Sequence, residues 1–148
     1  MEIKIYIDGA CIGNPGPGGW AVIILFENEK KELFGGEKLT TNNRMELTAA
    51  IKALEYFSKE EKKQPSLKNL KIYTDSNYVK EGITVWINSW EKNNWKTADK
   101  KNVKNIDLWK RLKELTKSNQ IEWNWIKGHS NNPMNDLADK LAKRATPI

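Results

Sequence analysis

Apolar and polar residues alternate at the start of the chain, and this pattern predicts β-strands. Ile3, Ile5 and Ile7 alternate with residues of different character, which is the period-two pattern of a strand with one buried face. The glycine–proline cluster at 13–19 then predicts a loop, because such residues suit neither a helix nor a central strand. The apolar run at 20–26 predicts a second strand and the segment at 32–39 a third, so we expect the fold to open as an antiparallel meander.

Helical spacing replaces this alternation after residue 43. Leu47, Ala50, Ile51 and Leu54 share one face of a predicted helix over 43–59. The other predicted elements are a strand at 70–74, a helix at 76–90, an irregular lysine-rich segment at 91–102, a helix around 108–115, a strand at 121–126 and a helix at 135–144. Strands followed by alternating helices and strands predict an α/β fold, with helices packed on a mixed sheet.

Composition narrows the class of protein. A chain of 148 residues predicts one domain, 1–148. Cys11 is the single cysteine and His129 the single histidine, which excludes an internal disulfide and a cysteine–histidine zinc cluster. The N-terminus has no basic segment followed by an apolar stretch, and no run has the length of a bilayer span. We therefore expect a cytoplasmic, monomeric protein without a membrane partner.

The charge balance indicates a class of partner. Lys and Arg total 25 against 19 Asp and Glu, giving a formal net charge of +6. Such a surface suits a polyanion, because each neutralised phosphate releases condensed counterions. A proteome that is generally rich in lysine would explain the same balance, so charge alone leaves both readings open.

Two aspartates follow predicted strands. Asp8 and Asp75 stand at the C-terminal ends of apolar strands, where α/β sheets bind ligands. If the two strands are neighbours, the carboxylates repel each other unless a cation lies between them. The alternative is that each aspartate caps the turn or helix that follows, and this alternative is stronger for Asp75.

Two further acids have equally ordinary alternatives. Glu46 lies three residues after Asn43, which is the spacing of a capping box. Asp139 lies four residues before Lys143 on a predicted helix, so a surface ion pair would explain it. Asp136 is close enough on the same helix to compete for any role given to Asp139.

Four segments surround these acids, at 7–19, 40–47, 73–79 and 125–130, and the last is followed by Asp139. In sequence and in order, these segments resemble four motifs of the type 1 ribonuclease H family, and the likeness extends along nearly the whole chain. The resemblance implies a ribonuclease H-like fold, with a five-stranded mixed sheet and helices on both faces. It also implies that folding gathers the catalytic and metal-binding acids, which are Asp8, Glu46, Asp75 and Asp139.

The resemblance implies an activity and a cofactor as well. The expected enzyme is an endonuclease that hydrolyses the RNA strand of RNA–DNA hybrids and leaves 5′-phosphate and 3′-hydroxyl ends. Two Mg²⁺ ions, with Mn²⁺ as a substitute, would bind the acids, and hard oxygen ligands suit these ions. His129 matches a family position that assists proton transfer or product departure, although a lone histidine is often structural.

The resemblance finally implies residues that contact the hybrid. Short polar side chains in the motifs can read the minor groove, although each also suits a turn or a cap. The segment at 84–106 resembles the family's basic protrusion, in which lysines lie among aromatic residues. The expected nucleic-acid-binding residues are Cys11, Asn14, Thr41, Asn42, Asn43, Asn77, Trp86, Lys92, Lys96, Lys100 and Lys101.

Some residues in these regions have competing interpretations. Leu39, with Lys38 beside it, occupies a place where the family often has a basic residue at a phosphate pocket. Trp86 and Trp90 are four residues apart, so packing is expected for at least one of them. The alternation of tryptophans at 123 and 125 predicts that both pack against the core.

Two other functions remain compatible with the sequence. A hybrid- or duplex-binding module without catalysis would use the same fold, although the presence of all four acids and the histidine argues against it. A domain of a larger polymerase or integrase-like protein is the other alternative, and the initiating methionine with the full motif set favours a free-standing enzyme.

Overall fold

The computed structural model describes residues 2–61, 69–117, 120–127 and 132–147, and the side chains of these residues except 59–61. Within these residues, the strands are β1 (Glu2–Cys11), β2 (Gly16–Phe26), β3 (Glu29–Thr40), β4 (Asn69–Thr74) and β5 (Gln120–Trp125). The helices of the same residues are α1 (Asn42–Glu61), α2 (Asn77–Glu81), a π-helical turn (Gly82–Trp86), α3 (Ile87–Lys92), α4 (Ile106–Thr116) and α5 (Pro133–Ala145).

The strands form one mixed sheet with the order β3-β2-β1-β4-β5. β1, β2 and β3 pair antiparallel, which confirms the predicted meander. β4 and β5 join parallel to β1, and the helices between them provide the crossovers. Because β1 and β4 are parallel neighbours, their C-terminal ends lie at the same edge of the sheet.

Alternation along β1 assigns residues to two opposite faces. Ile3, Ile5 and Ile7 belong to the main core, which also contains buried residues of α1 and α4. Tyr6 belongs to a second core with Ala138 of α5. The helices therefore cover both faces of the sheet, as expected for the ribonuclease H-like fold.

The structure of the glycine–proline cluster differs from the predicted loop. Its second half, from Gly16 to Gly19, belongs to β2, which is an internal strand rather than a loop. A register shift between Gly16 and Gly18 accommodates Pro17, which lacks a backbone N–H group, at a bulge. A Cβ atom on Gly19 would lie 2.1 Å from the carbonyl oxygen of Ala142, so glycine allows α5 to approach this strand.

The predicted helix at 76–90 contains a change of helical type. α2 continues into the π-helical turn, and α3 follows without a break. Gly82 begins the turn, and a Cβ atom there would lie 2.0 Å from the Trp109 ring. The absence of a side chain therefore allows α4 to pack against this turn.

The tryptophans of β5 differ from the prediction. Trp123 packs against the main core, as expected. Trp125 is 42% exposed, so its assignment to packing is wrong. It is the last residue of an edge strand, where neighbouring elements no longer cover the side chain.

Candidate active site

Sheet pairing brings the first two acids together. The parallel register continues to the pair Tyr6–Tyr73, so Asp8 lies level with Asp75 just beyond it. Ser76, rather than Asp75, caps α2, because its hydroxyl accepts a 3.2 Å hydrogen bond from the Val79 amide. The capping interpretation of Asp75 is therefore wrong.

The third acid comes from the first turns of α1. Thr41 precedes this helix, and its hydroxyl accepts a 3.2 Å hydrogen bond from the Arg44 amide. The capping-box interpretation of Glu46 is therefore wrong, because Arg44 occupies the capping-box position relative to Thr41. Glu46 is free to face Asp8.

A glycine controls this approach of α1 to β1. A Cβ atom on Gly9 would lie 2.5 Å from the backbone nitrogen of Glu46 and 2.6 Å from the carbonyl carbon of Met45. These are backbone atoms, which cannot rotate away as the end of a side chain can. Helix and strand can therefore meet here because residue 9 has no side chain.

The three acids form a compact and mostly buried cluster. Asp8, Glu46 and Asp75 each offer one carboxylate oxygen within 4.8 Å of the others. Asp8 is 3% exposed and Glu46 is 4% exposed. The Oε2 atom of Glu46 is buried and has no hydrogen-bond partner among the described residues. A buried carboxylate oxygen without a hydrogen-bond donor is suited to bind a cation, because burying an unpaired oxygen costs free energy.

The cluster is electrostatically unfavourable without a cation. Burial, followed by the charge of Asp75, raises the pKa of Asp8 to about 8. Burial and the charge of Asp8 also raise the pKa of Glu46 well above its usual range. Burial raises the pKa of Asp75, and hydrogen bonds with Asp8 and Asn135 offset only part of this effect. Hard divalent cations with oxygen ligands would relieve the repulsion, so these residues fit a metal centre.

Asp139 lies at the edge of this site. It lines the same cavity, whose volume is about 460 Å³, but it lies outside the group of three acids. Its charge contributes to the raised pKa values of Asp8 and Asp75. Its Oδ2 atom also lies 2.9 Å from the ammonium nitrogen of Lys143, so the expected surface ion pair is present as well. Asp136 lines the cavity too.

Several cavity residues were missed in the sequence analysis. Asn135 is 4% exposed, lines the cavity and interacts with Asp75. The available signal was its position four residues before Asp139, which gives both residues the same helix face. Ser76 and Tyr78 also line the cavity, directly after the second aspartate.

A second cavity lies beside the first, with a volume of about 360 Å³. Asn42 and Asn43 line both cavities, and Asn77 lines the first. The residues that line the second cavity are Asn14, Pro15, Thr41, Asn42, Asn43, Lys104 and Asn105. Asn14 also has a structural contact, since its Oδ1 atom accepts a 2.8 Å hydrogen bond from the backbone N–H group of Asn42.

A chain of polar contacts, which we term the Tyr78 network, connects residues that line the two cavities with the buried Trp109. Arg44 forms a two-pronged ion pair with Asp107, with N–O distances of 3.0 and 2.8 Å, and donates to Asn105 at 3.3 Å. The side-chain amide of Asn105 donates a 3.0 Å hydrogen bond to the Tyr78 hydroxyl, and the indole N–H of Trp109 donates to the same hydroxyl at 3.0 Å. The hydrogen bond with Arg44 lowers the pKa of Asp107.

The lysine-rich segment is held by backbone hydrogen bonds. Val103 is buried, and its amide donates a 3.1 Å hydrogen bond to the carbonyl oxygen of Trp95. The expected binding lysines, Lys92, Lys96, Lys100 and Lys101, are all exposed. Lys96 contacts the Asn102 side chain across an isolated bridge.

The remaining predicted residues have mixed surroundings. Trp90 packs against the core, which confirms that at least one of Trp86 and Trp90 has a packing role, and Trp86 is 37% exposed. Cys11 is half-buried, with its sulfur 3.4 Å from the Thr40 carbonyl oxygen. Leu39 is 76% exposed. His129 lies outside the described residues.

Comparison with known proteins identifies the family. The family model described as RNase H matches residues 1–146. Proteins named Ribonuclease H from Parvibaculum lavamentivorans and Dechloromonas aromatica are 54% and 56% identical to the chain. Each match covers 96% of this chain, and the two matches cover 90% and 91% of those proteins.

Solved structures agree with this result. LC9-RNase H1, described as a type 1 RNase H with the type 2 active-site motif, has a TM-score of 0.85 and 28% identity. The match covers 97% of this chain and 71% of that one. LC11-RNase H1, solved in complex with an RNA/DNA hybrid, shares the fold with a TM-score of 0.74 and 24% identity, over 97% and 95% of the two chains.

The chain therefore belongs to the ribonuclease H family, and it is a nuclease enzyme. Among the described residues, no helix has the length and apolar character required to cross a membrane.

Proposed function

We propose that the protein is an endonuclease that hydrolyses the RNA strand of RNA–DNA hybrids. The observation that carries the proposal is the buried cluster of Asp8, Glu46 and Asp75, in which a Glu46 oxygen has no partner among the described residues. The family membership of the chain supports this function, and the fold is shared with LC11-RNase H1, which was solved with a hybrid.

The proposed cofactor is a pair of Mg²⁺ ions, for which Mn²⁺ can substitute. Asp8, Glu46, Asp75 and Asp139 would hold them, because their hard carboxylate oxygens suit these ions. When bound, two such ions supply an activated water for attack on phosphorus and stabilise the departing oxygen, which leaves 5′-phosphate and 3′-hydroxyl ends. The chain itself holds Asp8, Glu46 and Asp75 so that one carboxylate oxygen of each lies within 4.8 Å of the others.

The second cavity is the proposed seat for a phosphate of the DNA strand. Thr41 and Asn42 line it at the start of α1, and Lys104 contributes a positive charge before α4. Backbone N–H groups at the start of a helix favour an anion, and the ammonium group adds to this field. Lys104 would supply the basic group of this cavity, and Leu39 is not among the described residues that line it.

Other contacts would extend along the hybrid. Cys11, Asn14, Asn43 and Asn77 would read the minor groove, where 2′-hydroxyl groups distinguish RNA from DNA. The protrusion at 84–106 would follow the backbone, and its exposed charges suit this role. The residues proposed for it are Trp86, Lys92, Lys96, Lys100 and Lys101.

The remaining parts of the proposal concern the whole molecule. His129 would assist proton transfer or product departure. We propose a cytoplasmic monomer that forms a single catalytic domain.

A cleavage assay tests the proposal. A hybrid with a 5′-labelled RNA strand is incubated with Mg²⁺ and each of the variants Asp8→Asn and Asp75→Asn. Removing a metal ligand is expected to lower the cleavage rate by about a thousandfold or more, because the charge-stabilising ions lose their anchor. Glu29→Gln is the matched control, since Glu29 is exposed in the hairpin at the opposite end of the sheet.

Two outcomes would contradict the proposal. Cleavage at the wild-type rate by either aspartate variant would remove the metal assignment. Tight binding of the hybrid by the wild-type protein without cleavage at saturating Mg²⁺ would favour the non-catalytic binding module instead.

A further inference from the structure

Asp139 differs from the other three acids in its partner. Its Oδ2 atom is paired with Lys143 at 2.9 Å, whereas Asp8, Glu46 and Asp75 face one another. Both members of the pair are on α5, one helical turn apart, with the acid on the N-terminal side, which is the favourable orientation for such a pair. The carboxylate that completes the cavity is thus the one that a cation of the chain already holds.

We infer that Lys143 is a positioning residue that competes with the divalent ion for Asp139 and so weakens the ion binding to which Asp139 contributes. The inference rests on the proposed function, because it requires a divalent ion in the cavity. Lys143 acts through Asp139 and need not touch the substrate or the ion.

The strength of the pair sets the size of the effect. Asp139 and Lys143 have side chains that are 41% and 67% exposed, so water screens their attraction. An exposed ion pair contributes modestly, and its loss corresponds to at most about a fivefold change in an equilibrium constant. The pair therefore yields to a divalent ion, which binds carboxylates more strongly, but it reduces the apparent affinity for that ion. This competition would let the Asp139 carboxylate exchange between Lys143 and the ion, whereas Asp8, Glu46 and Asp75 face one another.

The helix provides a matched control for charge alone. Lys140 is exposed on the same helix, one residue after Asp139, and none of the ion pairs among the described residues includes it. Lys140→Met and Lys143→Met remove the same charge from the same helix. Because the charge of Lys143 also acts on Asp8, a difference between the two variants reports the position of Lys143 rather than the net charge of the surface, and the Asp139→Asn background isolates its contact with Asp139.

The experiment measures Mn²⁺ binding to the full chain without nucleic acid, from the free Mn²⁺ signal in electron paramagnetic resonance. Asp139→Asn is expected to weaken Mn²⁺ binding, whereas Lys143→Met, in otherwise wild-type protein, is expected to tighten it about three- to fivefold. Lys140→Met is expected to change it by less than about twofold, as is Lys143→Arg, which keeps the ion pair. In the Asp139→Asn background, Lys143→Met should lose its effect, because the contact is already absent.

Four results would overturn the inference. They are an unchanged affinity in Lys143→Met, an equal tightening in Lys140→Met, a tightening that persists in the Asp139→Asn background, and an Asp139→Asn variant that binds Mn²⁺ as the wild type does. Failure of the proposed function gives a different result. In that case Asp8→Asn would bind Mn²⁺ as the wild-type protein does, or the wild-type protein would not bind Mn²⁺.

Discussion

The carboxylate cluster and the Tyr78 network lie on adjoining cavities, but they differ in whether their polar groups have hydrogen-bond partners. In the network, Arg44, Asn105 and Trp109 direct their donors to acceptors at 2.8–3.3 Å. In the cluster, Glu46 has a buried oxygen without a donor among the described residues, and neighbouring acids raise one another's pKa values. The network favours the folded chain by itself, whereas the cluster stores repulsion that an added cation can relieve. The groups that stabilise the fold and the groups proposed to bind metal therefore lie on neighbouring cavities.

The largest expected effect comes from removing the repulsion. The pKa of Asp8 is raised from 3.8 to about 8 in the folded protein. A raised folded pKa contributes stability that is fully present below the unfolded pKa, near pH 4, and is lost as pH rises towards 8. Asp8→Asn does not titrate, so without metal it should become more stable than the wild type over this window, by about 3–5 kcal/mol at pH 8.

Urea unfolding in EDTA between pH 4 and pH 8 measures this difference. The two proteins should have similar free energies of unfolding at pH 4 and diverge as pH rises. Saturating Mg²⁺ should narrow the gap by stabilising the wild type alone. A gap that stays constant with pH would mean that Asp8 is not the source of the repulsion.

The next largest effect is expected from removing hydrogen bonds of the Tyr78 network. Tyr78→Phe removes the acceptor shared by Asn105 and Trp109, and the Trp109 side chain is fully buried. A buried indole N–H without a partner costs about 2–3 kcal/mol of unfolding free energy. Thermal and urea unfolding measure the loss. Tyr73→Phe is the matched control, because the Tyr73 hydroxyl takes part in none of the side-chain hydrogen bonds among the described residues; an equal loss there would rule out the network as the cause.

The smallest effect tests the geometry of the network rather than its presence. Arg44→Lys keeps the charge but cannot form the two-pronged pair with Asp107 while holding Asn105. We expect a loss of about 0.5–1 kcal/mol in stability and about a twofold rise in KM for the hybrid, with kcat unchanged. Arg111→Lys, which alters a surface pair with Glu55, is the control. A fall in kcat without a change in KM would place Arg44 in a different role.

Much of the fold followed from the sequence because it depends on local periodicity. The alternation around Ile5 and the helical spacing around Leu47 are strong patterns, and both elements formed where expected. The glycine-rich half of β2 was missed because its strand pairing depends on a bulge and on α5, neither of which is visible locally. Trp125 was misassigned because alternation does not indicate where an edge strand ceases to be covered.

The site was predictable only in part for a similar reason. Residues near Asp75 and Glu46 permit both a capping role and a ligand role, and local spacing alone could not decide between them. The decision came from Ser76 and Thr41, whose hydroxyls provide the caps and leave the acids free. The pair between Asp139 and Lys143 was visible as a spacing, but its position at the cavity was a property of the folded chain.

The close packing at Gly9 has a consequence for how the site can be altered. The separation of strand and helix at that point is governed by the smallest side chain available, a single hydrogen atom. The spacing between Asp8 and Glu46 therefore depends on how closely the two backbones approach. One added methyl group at residue 9 would push the helix away from the strand and would move Glu46 away from Asp8, although neither acid had been changed.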